Sequence, residues 1–75
     1  MKKLPRLSGK EVIKALSKVG FVVVRQKGSH VIIKKHTPEV VIVTVVPNHK
    51  EIDRGTLIEI IRQAKLTREE FMSLL

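Results

Sequence analysis

Between Phe21 and Val46 the chain is built mainly from β-branched residues, broken by Lys27-Gly28 and by His36-Thr37-Pro38-Glu39. Valine and isoleucine are stiff at χ1 and pack well on a pleated surface, so these runs favour strands over helices. Two breaks leave three strands, over residues 21–26, 29–35 and 40–46. Spacers this short require antiparallel neighbours, because a parallel crossover needs a dozen residues or more. The result is a three-stranded meander, which needs something packed on one face to be stable.

The flanks supply it. Leu7-Ser8-Gly9-Lys10-Glu11-Val12 reads as a helix start. Ser8 can accept from the backbone three residues on, Glu11 can reach back, and Leu7 can pack on Val12. Val12, Leu16 and Val19 form an apolar stripe joined by Ile13, and Gly20 ends the helix. A second helix begins near Asp53 to Thr56 with the stripe Leu57, Ile60, Ile61 and Ala64. Thr67-Arg68-Glu69-Glu70-Phe71 repeats the capping pattern, so a short last helix should carry Phe71, Leu74 and Leu75. The order α-β-β-β-α-α implies an α+β fold of two layers, a three-stranded antiparallel β-meander with helices on one face.

Seventy-five residues form one domain, 1–75, with a thin core. There is no cysteine, so disulfides and cysteine-based zinc sites are excluded. The hydrophobic fraction of 43%, mostly aliphatic, is enough to fold without a metal. No apolar run reaches the ~20 residues of a membrane span. We expect a soluble protein of the cytoplasm, with no membrane role.

A two-residue hairpin loop at Lys27-Gly28 would set Val24 opposite Val31 and Val22 opposite Ile33, giving one wholly apolar face. The other face would then carry Arg25 across from His30, with Val23, Ile32, Phe21 and Lys34 further along. A three-residue loop with a bulge would shift these pairings. In the third strand Val41, Val43 and Val45 are the expected inward set, with Thr44 outward.

Charge gives the first functional direction. Fifteen Lys and Arg against seven Asp and Glu leave a net charge of +8. Residues 1–35 hold ten basic side chains and only Glu11, while residues 36–75 hold five basic and six acidic ones. A basic half points to a polyanion, most often nucleic acid. Lys10, Lys14 and Lys18 line one face of the first helix, where they can track phosphates or simply be solvated. With no Trp or Tyr and only Phe21 and Phe71 as aromatics, base-stacking platforms are disfavoured. Recognition should rest on backbone charge and shape.

Histidine is the side chain best suited to proton transfer near neutral pH, and the chain has three. His36 in a turn and His49 after the third strand read as surface or capping residues, and their spacing does not suit a zinc site. No carboxylate pair or phosphate loop is present, so neither metal nor cofactor is expected. His30 follows Gly28-Ser29 at a hairpin mouth, where a glycine allows close approach. Arg25, Lys27, Lys34 and Lys35 surround it. Cations that bind phosphate beside an imidazole that moves protons suit a phosphodiester.

Gly28-Ser29-His30-Val31-Ile32-Ile33, then Val45-Val46-Pro47-Asn48-His49, then Gly55-Thr56-Leu57 with Ile60-Ile61 and Lys65-Leu66-Thr67-Arg68-Glu69-Glu70-Phe71 occur in one order. With the opening Leu4-Pro5-Arg6-Leu7-Ser8-Gly9-Lys10-Glu11, this set resembles the HicA toxins, the YcfA-like group, over nearly the whole chain. The resemblance implies a fold like a double-stranded RNA-binding domain and a toxin that cleaves mRNA without a metal. It also implies neutralisation by a HicB-type antitoxin, which we expect to cover the His30 face. The family's catalytic histidine falls on His30. The RNA-binding set expected around it is Arg25, Lys27, Gly28, Ser29, Lys34, Lys35, Lys10 and Lys14. A non-catalytic RNA-binding module is the alternative, but the second helix starts Asp53-Arg54-Gly55 without the lysine cluster of duplex binders.

Overall fold

The computed structural model describes residues 3–75. Helix α1 (Gly9–Ser17) leads into strands β1 (Val22–Lys27), β2 (His30–His36) and β3 (Val41–Pro47), followed by α2 (Arg54–Gln63) and α3 (Arg68–Met72). The three strands form one antiparallel sheet in the order β1-β2-β3. The fold is the expected α+β arrangement, like that of a double-stranded RNA-binding domain.

The helix starts follow from their caps. The Ser8 hydroxyl accepts from the Glu11 N–H at 3.2 Å while the Glu11 carboxylate accepts from the Ser8 N–H at 3.0 Å. Thr67 and Glu70 make the same reciprocal pair. Asp53 caps α2 by accepting from both the hydroxyl and the N–H of Thr56. Each cap satisfies N–H groups that the first turn leaves without a helical partner.

The core lies between the helices and one sheet face. Val12, Ala15 and Leu16 of α1, Leu57, Ile60 and Ile61 of α2 and its C-cap Ala64 are buried with Val31, Ile33 and Val46 of the sheet and Phe71 of α3. Helix α3 was expected to carry Phe71, Leu74 and Leu75 but ends at Met72, and beyond it Leu74 packs against this core while Leu75 is exposed.

Two face assignments differ from expectation. Strand β3 is turned over: Thr44 is 1% exposed and pairs with Ile33, while Val41, Val43 and Val45 face outward. The inward threonine is tolerated because its hydroxyl donates to Gln63 Oε1 at 2.7 Å, which removes the cost of burying an unpaired polar group. Hydropathy could not choose between the sets, since both are aliphatic apart from Thr44.

The second difference is in the hairpin. The turn residues are Gly28 and Ser29, so Lys27 belongs to β1 and pairs with His30. Gly28 has φ 60°, which suits glycine at the first turn position. Beyond it Gln26 pairs with Val31 and Arg25 with Ile32; the register then slips, and Val23 pairs with Ile33. Val24 is the extra residue of a β-bulge. The bulge reverses the alternation on its far side, which turns Phe21 into the core at 3% exposure. Phe21 and Val23 therefore do not join the outer face, Val22 faces outward opposite Lys34 rather than inward opposite Ile33, and Lys27 takes the place across from His30 that was expected of Arg25.

Of the four glycines, Gly9 is the most closely packed. A Cβ there would lie 2.2 Å from the Pro47 carbonyl oxygen, and the Gly9 N–H donates to the His49 carbonyl at 2.9 Å. Gly9→Ala should lower stability by about 1–3 kcal/mol through this overlap, measured as a lower denaturant midpoint with an unchanged slope. Hydrogen bonds to the carboxylates of Glu11, Glu70 and Asp53 hold all three below the ordinary carboxylate range. The leading donors are the Ser8 backbone, the Thr67 backbone and the Thr56 hydroxyl respectively. A lowered folded value adds stability above the ordinary range and loses it as pH falls through the folded value. The melting temperature should fall on acidification through that range. The double variant Glu11→Gln, Glu70→Gln keeps its acceptors and should show a shallower fall.

Candidate functional site

Residue His30 opens β2 immediately after the Gly28-Ser29 turn and is exposed. Along β2 the buried Val31 and Ile33 point to the helices, so His30, Ile32 and Lys34 point to the other face. Antiparallel partners share a face. Lys27 opposite His30, Arg25 opposite Ile32 and Val22 opposite Lys34 therefore lie on the same outer surface. On the β3 side His30 meets Pro47, Ile32 meets Val45 and Lys34 meets Val43.

The bulge matters here as well. Lys27 and Arg25 lie on the turn side of Val24 and stay in phase with His30, while Phe21 lies beyond it and is buried. One extra residue lets β1 keep its cations on the outer face while Phe21, just before the strand, enters the core.

The hairpin mouth is held from behind. The Asn48 N–H donates to the Ser29 carbonyl at 2.6 Å, and the Gln26 amide donates to the Gly28 carbonyl at 3.1 Å. Pro47 and Asn48 in turn rest against Gly9. The Ile52 N–H donates to the Leu7 carbonyl at 2.8 Å, which closes the loop onto the start of α1. Gly9, Pro47 and Asn48 thus support the residue before His30. The sequence reading did not single them out for this role, although a glycine in the first turn of a helix, where its propensity is poor, can mark close backbone approach.

The expected binding residues divide into two groups. Arg25, Lys27 and Lys34 share the outer face with His30, and Gly28 and Ser29 form the turn beside it. Among the described residues no carboxylate pairs with these cations; the one ion pair joins Arg62 and Glu59. Lys35 alternates to the helix side, opposite Ile42, and its side chain lies beside Gly20. Lys10 and Lys14 belong to the helical layer. Lys10 adjoins Gly9 and is at the His30 end of the molecule, but Lys14 lines a hollow with Leu7, Leu74 and Leu75.

The three histidines are not grouped. His30 and His36 stand at opposite ends of β2, about 20 Å apart at a strand's rise of ~3.3 Å per residue. Among the described residues no cluster of three His, Cys, Asp or Glu side chains could hold a metal. No helix among them is long and apolar enough to cross a membrane.

The outer face therefore presents an accessible imidazole, cations free to meet phosphate, and a strip of aliphatic side chains. No curated protein matches the chain. A family model described as the HicA toxin of bacterial toxin-antitoxin matches residues 9–66, from the first residue of α1, through the whole sheet and α2, to the residue before the α3 cap. By that match, which spans most of its length, the chain belongs to the HicA toxin family.

Proposed function

We propose that this toxin is an endoribonuclease that cleaves mRNA without a metal, with His30 as its catalytic residue. The observation that carries the reading is the exposed imidazole at a braced hairpin mouth, with Lys27 directly opposite and Arg25 on the same face. Arg25, Lys27 and Lys34 hold the RNA backbone. The N–H groups of the Gly28-Ser29 turn lie beside the reacting phosphate. Lys35, Lys10 and Lys14 contribute only at longer range.

In the reaction the ribose 2′-oxygen loses its proton and attacks the adjacent phosphorus. The bond to the 5′-oxygen breaks, the leaving oxygen gains a proton, and a 2′,3′-cyclic phosphate remains. A single imidazole serves one of the two proton transfers, from the 2′-OH or to the 5′-oxygen, and water serves the other. Arg25 and Lys27 offset the charge that builds on the phosphoryl oxygens.

The antitoxin is the natural partner of a toxin of this family, and we assign it the outer sheet face. Val22, Val43 and Val45 are exposed on the same sheet face as His30, and an aliphatic surface bordered by cations suits a HicB-type protein carrying apolar and acidic side chains. Covering that face would close off His30. The proposed setting is the cytoplasm, where mRNA and antitoxin are both present.

Wild type should cleave single-stranded RNA in the presence of EDTA, and His30→Ala should be folded but slower by roughly 10²–10⁴-fold. RNA binding by both proteins with cleavage by neither would instead identify a non-catalytic RNA-binding module. Three phosphate contacts at ~0.7 each predict that log affinity for single-stranded RNA falls with log salt at a slope near −2. Lys27→Ala should make that slope shallower by about 0.7, read from fluorescence anisotropy across a salt series.

A further inference from the structure

The sheet has two open edges, and they are built differently. Strand β1 is bulged and carries Arg25 and Lys27. Both are devices that discourage strand pairing. Strand β3 has neither: Val41–Pro47 contains no charged residue, and its register with β2 runs without a slip from His36↔Val41 to His30↔Pro47.

The hydrogen-bond phase of this edge follows from one contact. The Asn48 N–H donates to the Ser29 carbonyl, so the neighbouring pair Pro47↔His30 is a non-hydrogen-bonded one. Alternating along the ladder, Ile42, Thr44 and Val46 direct their N–H and C=O groups at β2. Val41, Val43 and Val45 direct theirs outward, and among the described residues no backbone group pairs with them. The far end is blocked, because Pro47 has no N–H and its carbonyl lies against Gly9.

Beside this edge runs a groove with Val41, Ile42 and Val43 on one side and Arg62, Gln63 and Lys65 at the end of α2 on the other. Gln63 is engaged by Thr44, and Arg62 by Glu59. Lys65 has no carboxylate partner among the described residues and is held at φ 63° just past α2.

We propose that β3 is a docking edge for an extended segment of a partner protein, which adds as a fourth strand along Val41–Val45 and places acidic side chains against Lys65. Two features favour an acidic partner over a second copy of this chain. The free cation at the groove calls for a carboxylate, and two copies carrying +8 each repel. Backbone pairing supplies the affinity, and the groove supplies the choice of side chain. This surface is separate from the RNA-cleaving reading of His30, and its test involves no RNA.

The probe is a synthetic peptide of alternating valine and threonine with glutamate at each end, added at millimolar concentration to the labelled full chain. Amide hydrogen exchange by NMR should show Val41, Val43 and Val45 exchanging freely in the protein alone and protected with peptide. Ile42, Thr44 and Val46 should be protected in both. An analogue N-methylated at alternate residues should not bind. Val43→Pro removes an outward N–H without touching the β2 ladder and should weaken binding about tenfold or more, the equivalent of a strong hydrogen bond. Val43→Thr keeps the N–H, controls for folding and should bind normally. Lys65→Glu should weaken binding by roughly threefold, as for an exposed ion pair. No protection by the peptide, or equal binding of the methylated analogue, overturns the proposal. Protection of the same amides in the protein alone, rising with its own concentration, overturns it in favour of a second copy.

Discussion

One residue without a partner, Val24, sets the relation between this protein's core and its outer sheet face. The segment running into and through β1 must deliver Phe21, just before the strand, to the interior and Lys27 and Arg25 to the exterior. These residues are all odd-numbered, so strict alternation would put them on one side. A bulge breaks that parity by one position. It is also the place where the edge of the sheet is roughened, so a single local irregularity serves packing, charge placement and protection from strand pairing.

The same economy appears behind the hairpin. Gly9 has no Cβ, so the α1 N-terminus can sit on Pro47 and Asn48. Asn48 then fixes the carbonyl of Ser29 beside His30. The first turn of a helix is thus mechanically connected to the tip of the hairpin, although the two are some twenty residues apart in sequence. A small domain with no disulfide can hold a site only if its turns are tied to its core, because side chains on untethered loops are poorly oriented. In a family of toxins this matters twice, since a firmly placed imidazole serves the proposed chemistry and also gives an inhibitor a fixed target.

The outer sheet face combines properties that usually separate. It is aliphatic through Val22, Ile32, Val43 and Val45, and cationic through Arg25, Lys27 and Lys34. Cations alone would suffice for RNA backbone. The exposed valines make more sense as a protein-binding surface, since a solvated sheet face has no need of them. On the proposed function, RNA and antitoxin compete for one surface.

Much of this protein could be read locally. The capping boxes at Ser8 and Thr67, the apolar stripe of α2, the meander and the basic N-terminal half depend on residues within a few positions of each other, and each appears as expected. The position of His30 at the hairpin mouth was also legible, since the glycine turn before it is a local pattern. The faces of β3 and the position of Phe21 were not. Thr44 could turn inward only because Gln63, nineteen residues later, accepts its hydroxyl. Phe21 could reach the core only because the Gly28-Ser29 turn and the bulge together reset the register. A run of valines looks equally apolar from either side, so sequence alone determined that strands form and roughly where they end. Which side faces inward was decided by partners distant in the chain, through packing and hydrogen bonds that exist only once the layers have met.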